Sequence, residues 1–167
     1  MATATATGGA VVIPTGQEKV FEYLSNPVSM REWMPEGHWD VWLTTPPPIK
    51  TGDAFRARRS GTLEEYEGTV KEYEANRRIV LHLTRGSMET IWSFDLVAQS
   101  GGTAVRCAHD VHTHGVLRLA ERVMRRGAGH GAHDALRKLQ AHFWRNGERQ
   151  RGRIARTFGT LDPRLQR

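Results

Sequence analysis

The chain of 167 residues has little cysteine, little lysine and no long apolar run. Its single cysteine, Cys107, excludes an intramolecular disulfide framework and a cysteine-built zinc cluster. No apolar stretch reaches the roughly 18 residues that a membrane helix needs, so no membrane span is expected. Mean hydropathy is −0.54. The first residues, Met1-Ala-Thr-Ala-Thr-Ala-Thr7, have no basic n-region and no apolar h-region. No secretory leader is therefore expected, and the expected location is cytoplasmic. There is no glycine-rich phosphate loop, no Gly-x-Ser-x-Gly elbow and no nucleotide fingerprint. Nothing in the sequence asks for a cofactor.

What is present begins with charge, which is unevenly spread. The formal net charge is +6. Residues 145–167 hold seven arginines against Glu148 and Asp162, a net of +5, so the rest of the chain is nearly neutral. The high pI thus belongs to a basic C-terminal tail. Such a tail can meet nucleic acid, anionic lipid or an acidic protein patch. Only Phe158 is interleaved with its arginines, which argues against base stacking and against nucleic acid as the partner.

Periodicity sets the organisation. Residues 1–8 are small and polar and are expected to be disordered. Gly9 to Ile13 is β-prone. Gln17 to Leu24 reads as a helix with Val20, Phe21 and Leu24 on one face, ended by Asn26-Pro27. Val28 to Trp33 reads as a second short helix. Then the period drops to two. Trp39–Thr45, Thr51–Arg59, Thr62–Glu74, Ile79–Thr84, Met88–Val97 and Thr103–Thr113 are strand candidates. From Val116 to Trp144 the spacing returns to three and four, through Met124, Ala128, Gly131, Ala135 and Leu139. Glycines 127, 129 and 131 place an interruption in that helix, since each costs about 1 kcal/mol against alanine. Strands in hairpin succession with segregated helices imply an α+β domain over residues 9–144.

This ordered set resembles the SRPBCC superfamily, the START/Bet v 1-like helix-grip proteins, near its polyketide cyclase/dehydratase branch. The residues that carry the likeness are Ile13-Pro14, Val20-Phe21-Glu22-Tyr23-Leu24, Trp33, Gly52-Asp53-Ala54-Phe55 and Glu67-Gly68-Thr69-Val70. Trp92-Ser93-Phe94-Asp95-Leu96, Gly101-Gly102-Thr103-Ala104-Val105 and Ala135-Leu136-Arg137-Lys138-Leu139 complete it. The resemblance implies a seven-stranded antiparallel sheet wrapped around a long C-terminal helix, with two short helices near the N-terminus and an internal apolar cavity. It also implies a hydrophobic small-molecule partner, polyketide-, aromatic- or lipid-like. Members include catalysts of cyclisation or dehydration and non-catalytic carriers, so the fold alone does not decide between them.

Strand parity then nominates side chains. Trp92, Phe94 and Leu96 form one apolar row and must face inward. Val105, Cys107, His109 and Val111 form the next. Val70 inward brings Tyr66 and Glu64 with it unless a bulge intervenes. Phe55 inward brings Ala57 and Arg59. The expected ligand wall is Trp33, Trp42, Phe55, Val70, Trp92, Phe94 and Cys107, closed by Met124, Ala128 and Gly131 of the helix. Trp39 and Trp42 have opposite parity, and one of them is expected to face the cavity. The expected acid–base set is His109, Tyr66, Glu64 and Arg59. An imidazole titrates near neutrality and can shuttle the proton of an enolising substrate, while Tyr or Arg stabilises the enolate oxygen. Asp110, His112 and His114 share a strand face, but i and i+4 on a strand lie about 13 Å apart, too far to chelate one ion. No metal is expected. The oligomeric state stays open, a homodimer included.

Overall fold

A computed structural model describes residues 7–35, 37–46, 49–114 and 130–147. Seven strands form one antiparallel sheet: β1 (Thr7–Ile13), β2 (Trp39–Leu43), β3 (Ala54–Arg59), β4 (Glu65–Glu74), β5 (Arg78–Arg85), β6 (Met88–Gln99) and β7 (Gly102–Thr113). Their order in the sheet is β1-β7-β6-β5-β4-β3-β2. Strands β2 to β7 are a meander, and β1 returns to pair with β7 from Ile13↔Thr103 to Thr7↔His109. Between β1 and β2 lie α1 (Gln17–Ser25), a 3-10 turn (Pro27–Ser29) and α2 (Met30–Trp33). Helix α3 occupies 130–147. The expected helix from Val116 to 129, its interruption near Gly127, residues 1–6 and the tail from 148 onward lie outside the described residues.

Each element follows from local chemistry. Helix α1 buries Val20, Phe21 and Leu24, the apolar face that its spacing predicts. Gln17 at its start donates from Nε2 to the carbonyls of Asn76 and Leu96, at 2.5 and 3.1 Å, tying the helix to the sheet. Asn26 ends it and caps the 3-10 turn, its Oδ1 accepting from the Val28 N–H at 3.1 Å. Gly102 turns the chain at φ +148, where a side chain would run into the Ile13 carbonyl of β1.

Burial along the strands alternates. On β6 the buried residues are Thr90, Trp92, Phe94 and Leu96. On β7 they are Thr103, Val105, Cys107, His109, Val111 and Thr113. On β4 the parity holds through Tyr66, Gly68 and Val70. A bulge between Val70 and Glu72 then resets it. Tyr73 therefore turns toward Phe21, with ring centroids 5.2 Å apart. Helix α3 joins this core through Ala132, Ala135, Leu136 and Leu139. Gly9 on β1 lets it approach, since a Cβ there would already touch His133 at 3.0 Å and Leu136 at 3.2 Å. Lys138 Nζ donates to the Met34 carbonyl at 2.7 Å, and Gln140 Nε2 donates to the Val12 carbonyl at 3.1 Å. These bonds join α3 to the end of α2 and to β1.

The opposite face is charged. Arg56–Glu65 and Arg58–Asp40 pair at 3.2 and 3.3 Å, both half exposed, and such pairs contribute little. Glu89 accepts from His114 at 3.1 Å and His82 at 3.3 Å, and these bonds hold its carboxyl below the ordinary range. A depressed carboxyl stabilises the fold above its unfolded pKa, and that contribution is lost as pH falls through the folded value. The stability gap between the wild type and Glu89→Gln is expected to shrink as pH drops from about 5 to below about 4. Urea midpoints at the two ends check this; a gap that widens toward acid contradicts it.

Candidate functional site

The inner face of the sheet carries two polar stations within an apolar field. The first centres on His109. Its ring stacks on Trp92, with centroids 3.7 Å apart and planes 11° apart. The two residues are register partners across β6 and β7, which holds the rings face to face. Thr90 Oγ1 and His109 Nε2 hydrogen-bond at 2.7 Å. Gly131 of α3 approaches from the other side, and a Cβ there would lie 3.0 Å from His109 Nδ1. A glycine at this position therefore makes room for the imidazole.

Trp92 is also packed edge-on by Trp33, at 5.5 Å, and Trp33 packs in the same way on Phe94, at 5.0 Å. Trp33 Nε1 donates to Ser29 Oγ at 3.1 Å. Trp92 Nε1 is different. It is buried and has no hydrogen-bond partner among the described residues. An unmade bond at a buried donor costs about 1–3 kcal/mol. Cys107 neighbours this station on β7, and burial pushes its thiol well above the ordinary range.

The second station is at the far end of the same face. Glu64 pairs with Arg85 at 2.5 Å and with Arg59 at 3.8 Å. The hydrogen bond from Arg85 to Glu64 raises the guanidinium pKa. Arg85 also lies 5.2 Å over the Tyr66 ring. Trp39 borders Tyr66 at 5.5 Å and donates from Nε1 to the Pro35 carbonyl at 3.2 Å.

The structure thus separates the expected acid–base set. His109 stands on β7, and Tyr66 on β4, three strands away. At about 4.8 Å per strand that is about 14 Å of sheet. The register adds an offset, because the β7 residue level with Arg85 and Met88 is Thr113, four residues beyond His109. Glu64 is shared between Arg59 and Arg85 near Tyr66, one carboxylate against two guanidiniums, on the side of the sheet away from the His109 strand.

Of the expected ligand wall, Trp33, Phe55, Val70, Trp92, Phe94 and Cys107 are buried in one cluster. Trp42 is on the other face. It is 37% exposed, and the Arg58 guanidinium lies 5.9 Å from its ring centroid. Trp39, three residues away on the same strand and so of opposite parity, takes the inward position. Met124 and Ala128 lie outside the described residues. Thr90 and Arg85 are additions that the sequence reading missed. Thr90 shares parity with Trp92, a signal available in the alternation; the facing of Arg85 and Tyr66 needs the register.

Among the described residues there is also an open groove of about 470 Å³ between α1, the 3-10 turn, α2 and α3. Lys19, Tyr23, Arg31, Glu32 and Phe143 contribute to its wall. Tyr23 donates to Glu32 at 3.3 Å, and burial together with that carboxylate raises its phenol pKa. No group of metal-ligating side chains among the described residues could hold an ion, and no described helix is long and apolar enough to cross a membrane.

Solved structures share this architecture. MLL2253 from Mesorhizobium loti is 18% identical, with a TM-score of 0.63 over 83% of this chain and 96% of that one. BH1534 from Bacillus halodurans is 18% identical, with a TM-score of 0.62 over 84% and 98%. DynU16, from the dynemicin biosynthetic locus, is 17% identical, with a TM-score of 0.55 over 83% of this chain and 47% of that one. At these identities the likeness is one of fold. A search of curated proteins finds no match. The family model for Activator of Hsp90 ATPase homolog 1-like protein matches residues 14–143, nearly the whole described domain. The seven-stranded sheet, the two short helices and the C-terminal helix are those of the broader SRPBCC helix-grip superfamily, and within it the chain belongs to the family of Activator of Hsp90 ATPase homolog 1-like proteins.

Proposed function

We propose that the domain binds a hydrophobic small molecule, aromatic- or polyketide-like, against the inner face of the sheet, and that acid–base chemistry on it runs through His109. One observation carries the reading: an imidazole buried in an aromatic field, stacked on Trp92 and held by Thr90. Aromatic walls suit flat ligands. An imidazole can take and give a proton near neutral pH, the step that cyclisation or dehydration of a poly-β-ketone needs. Tyr66, Glu64 and Arg59 enter this reading as a polar rim.

The test uses a poly-β-ketone thioester as substrate. His109→Ala is expected to lower kcat by at least about 100-fold, with a smaller change in affinity. Binding that persists with no turnover in the wild type would overturn the catalytic half and leave a carrier or sensor. Absence of binding would overturn both.

The family match favours a second reading, a module that acts on a partner ATPase of the Hsp90 type. Stimulation of such an ATPase by the full chain, lost when residues 148–167 are removed, would place the basic tail at the contact.

A further inference from the structure

We propose that the ligand carries a carboxylate, and that Arg59, at the rim of the sheet's inner face, is its anchor, with Arg85 beside it. This rests on the small-molecule reading above and adds what that reading leaves open: the charge of the ligand and the end by which it is held.

Strand parity and register bring the group together. Arg59 shares the inward parity of Phe55 and Ala57 on β3, and its register partner on β2 is Trp39. Tyr66 is the partner of Ala57. The Arg85 guanidinium lies over the Tyr66 ring at 5.2 Å, and Trp39 borders that ring at 5.5 Å. Both rings belong to the buried core, whereas Arg59 and Arg85 are partly exposed. Two guanidiniums thus stand where a wall of buried rings meets water.

Their pairing is incomplete. The arginines of opposite parity on β3 each have a carboxylate at hydrogen-bond distance, Arg56 with Glu65 at 3.2 Å and Arg58 with Asp40 at 3.3 Å. Arg78 on β5 has two, both at 2.6 Å. Arg85 holds Glu64. Arg59 has only that same Glu64, at 3.8 Å, which is beyond a hydrogen bond. Among the described residues its guanidinium has no acceptor at bonding distance.

Two positive charges against one negative leave one unit of positive charge at this rim. A monoanion balances it. A carboxylate fits, because it is planar and presents two oxygens to the guanidinium fork. A phosphate dianion would overshoot the charge. The body of such a ligand would extend along Trp39 and Tyr66 over the apolar face. Its acid end would stay within reach of water, which keeps the desolvation cost of the ion pair low.

The experiment compares 2-naphthoate with 2-naphthamide, which has the same planar shape and no charge. Full-length wild type, Arg59→Gln, Glu64→Gln and Arg106→Gln are titrated with each by calorimetry, and circular dichroism checks that each variant is folded. Arg106, exposed on the outer face of β7, is the control for overall charge.

The expected result is that naphthoate binds wild type about tenfold more tightly than the amide. Arg59→Gln removes that preference and leaves amide affinity within about twofold, while Arg106→Gln keeps it. Glu64→Gln, which takes away the competing carboxylate, widens the preference by at least about threefold. If Arg59→Gln does not fold, Glu64→Gln decides, and an unchanged preference there overturns the proposal. Equal affinity of wild type for both probes, or a preference that survives Arg59→Gln, also overturns it and leaves the small-molecule reading standing. Failure of both probes to bind overturns that reading, and the proposal with it.

Discussion

Replacing Trp33 by alanine is expected to destabilise the domain by about 3–5 kcal/mol, the range for deleting a large buried aromatic side chain. Trp33 is 1% exposed. It is the last residue of α2, so its ring is what fastens that short helix to the sheet, edge-on to both Trp92 and Phe94. A four-residue helix has too few internal bonds to hold itself, and its position comes from packing. Alanine removes the ring contacts and leaves Ser29 Oγ without its indole partner. Trp33→Phe is expected to keep most of the packing and lose only the hydrogen bond, at about 0.5–1.5 kcal/mol. Urea unfolding of the three proteins measures both. A Trp33→Ala cost below about 1 kcal/mol would mean that α2 is not docked as described.

Gly68→Ala is the second large effect, and it comes from one methyl group. Gly68 on β4 pairs in register with Phe55 on β3. The Phe55 ring lies across the glycine, so an alanine Cβ would overlap three of its ring carbons. The ring is 2% exposed and is enclosed by the core, so it cannot swing into solvent. Overpacking of this kind costs about 1–3 kcal/mol. The backbone itself raises no objection, because Gly68 is absent from the positive-φ glycines. The cost is therefore expected to be pairwise. Phe55→Leu in the same chain is expected to relieve part of it, giving a coupling of about 0.5–3 kcal/mol in a double-mutant cycle. Additive losses would show that Gly68 matters for another reason.

These two residues also mark how far the sequence could be read. The inward facing of Trp92 and Phe94 and the burial of His109 were legible, because strict alternation over long strands leaves one face for large apolar groups. The helix-grip order was legible because the period changes sharply at Trp39 and again after Thr113. What needed coordinates was everything set by which strand lies beside which.

Trp39 and Trp42 are equally apolar and of opposite parity, so alternation alone left them tied. Trp42 falls on the charged face, beside Arg58, while Trp39 meets Tyr66. Tyr66, Glu64 and Arg59 share the inward parity of their strands, as does His109. Parity carries no lateral distance, and β5 and β6 intervene. Arg85, which binds Glu64, sits at a strand end where charge reads as solvent-facing. The bulge after Val70, which turns Tyr73 inward, leaves no mark in composition.

The central claim is that the inner face of the sheet holds a hydrophobic small molecule. Native mass spectrometry of the full chain purified from its own host, followed by denaturation and identification of what is released, tests it most directly. The account predicts a one-to-one adduct that survives desalting and proves to be an aromatic or polyketide-like compound. Protein that is empty of small molecules and instead retains a protein partner or nucleic acid would contradict it.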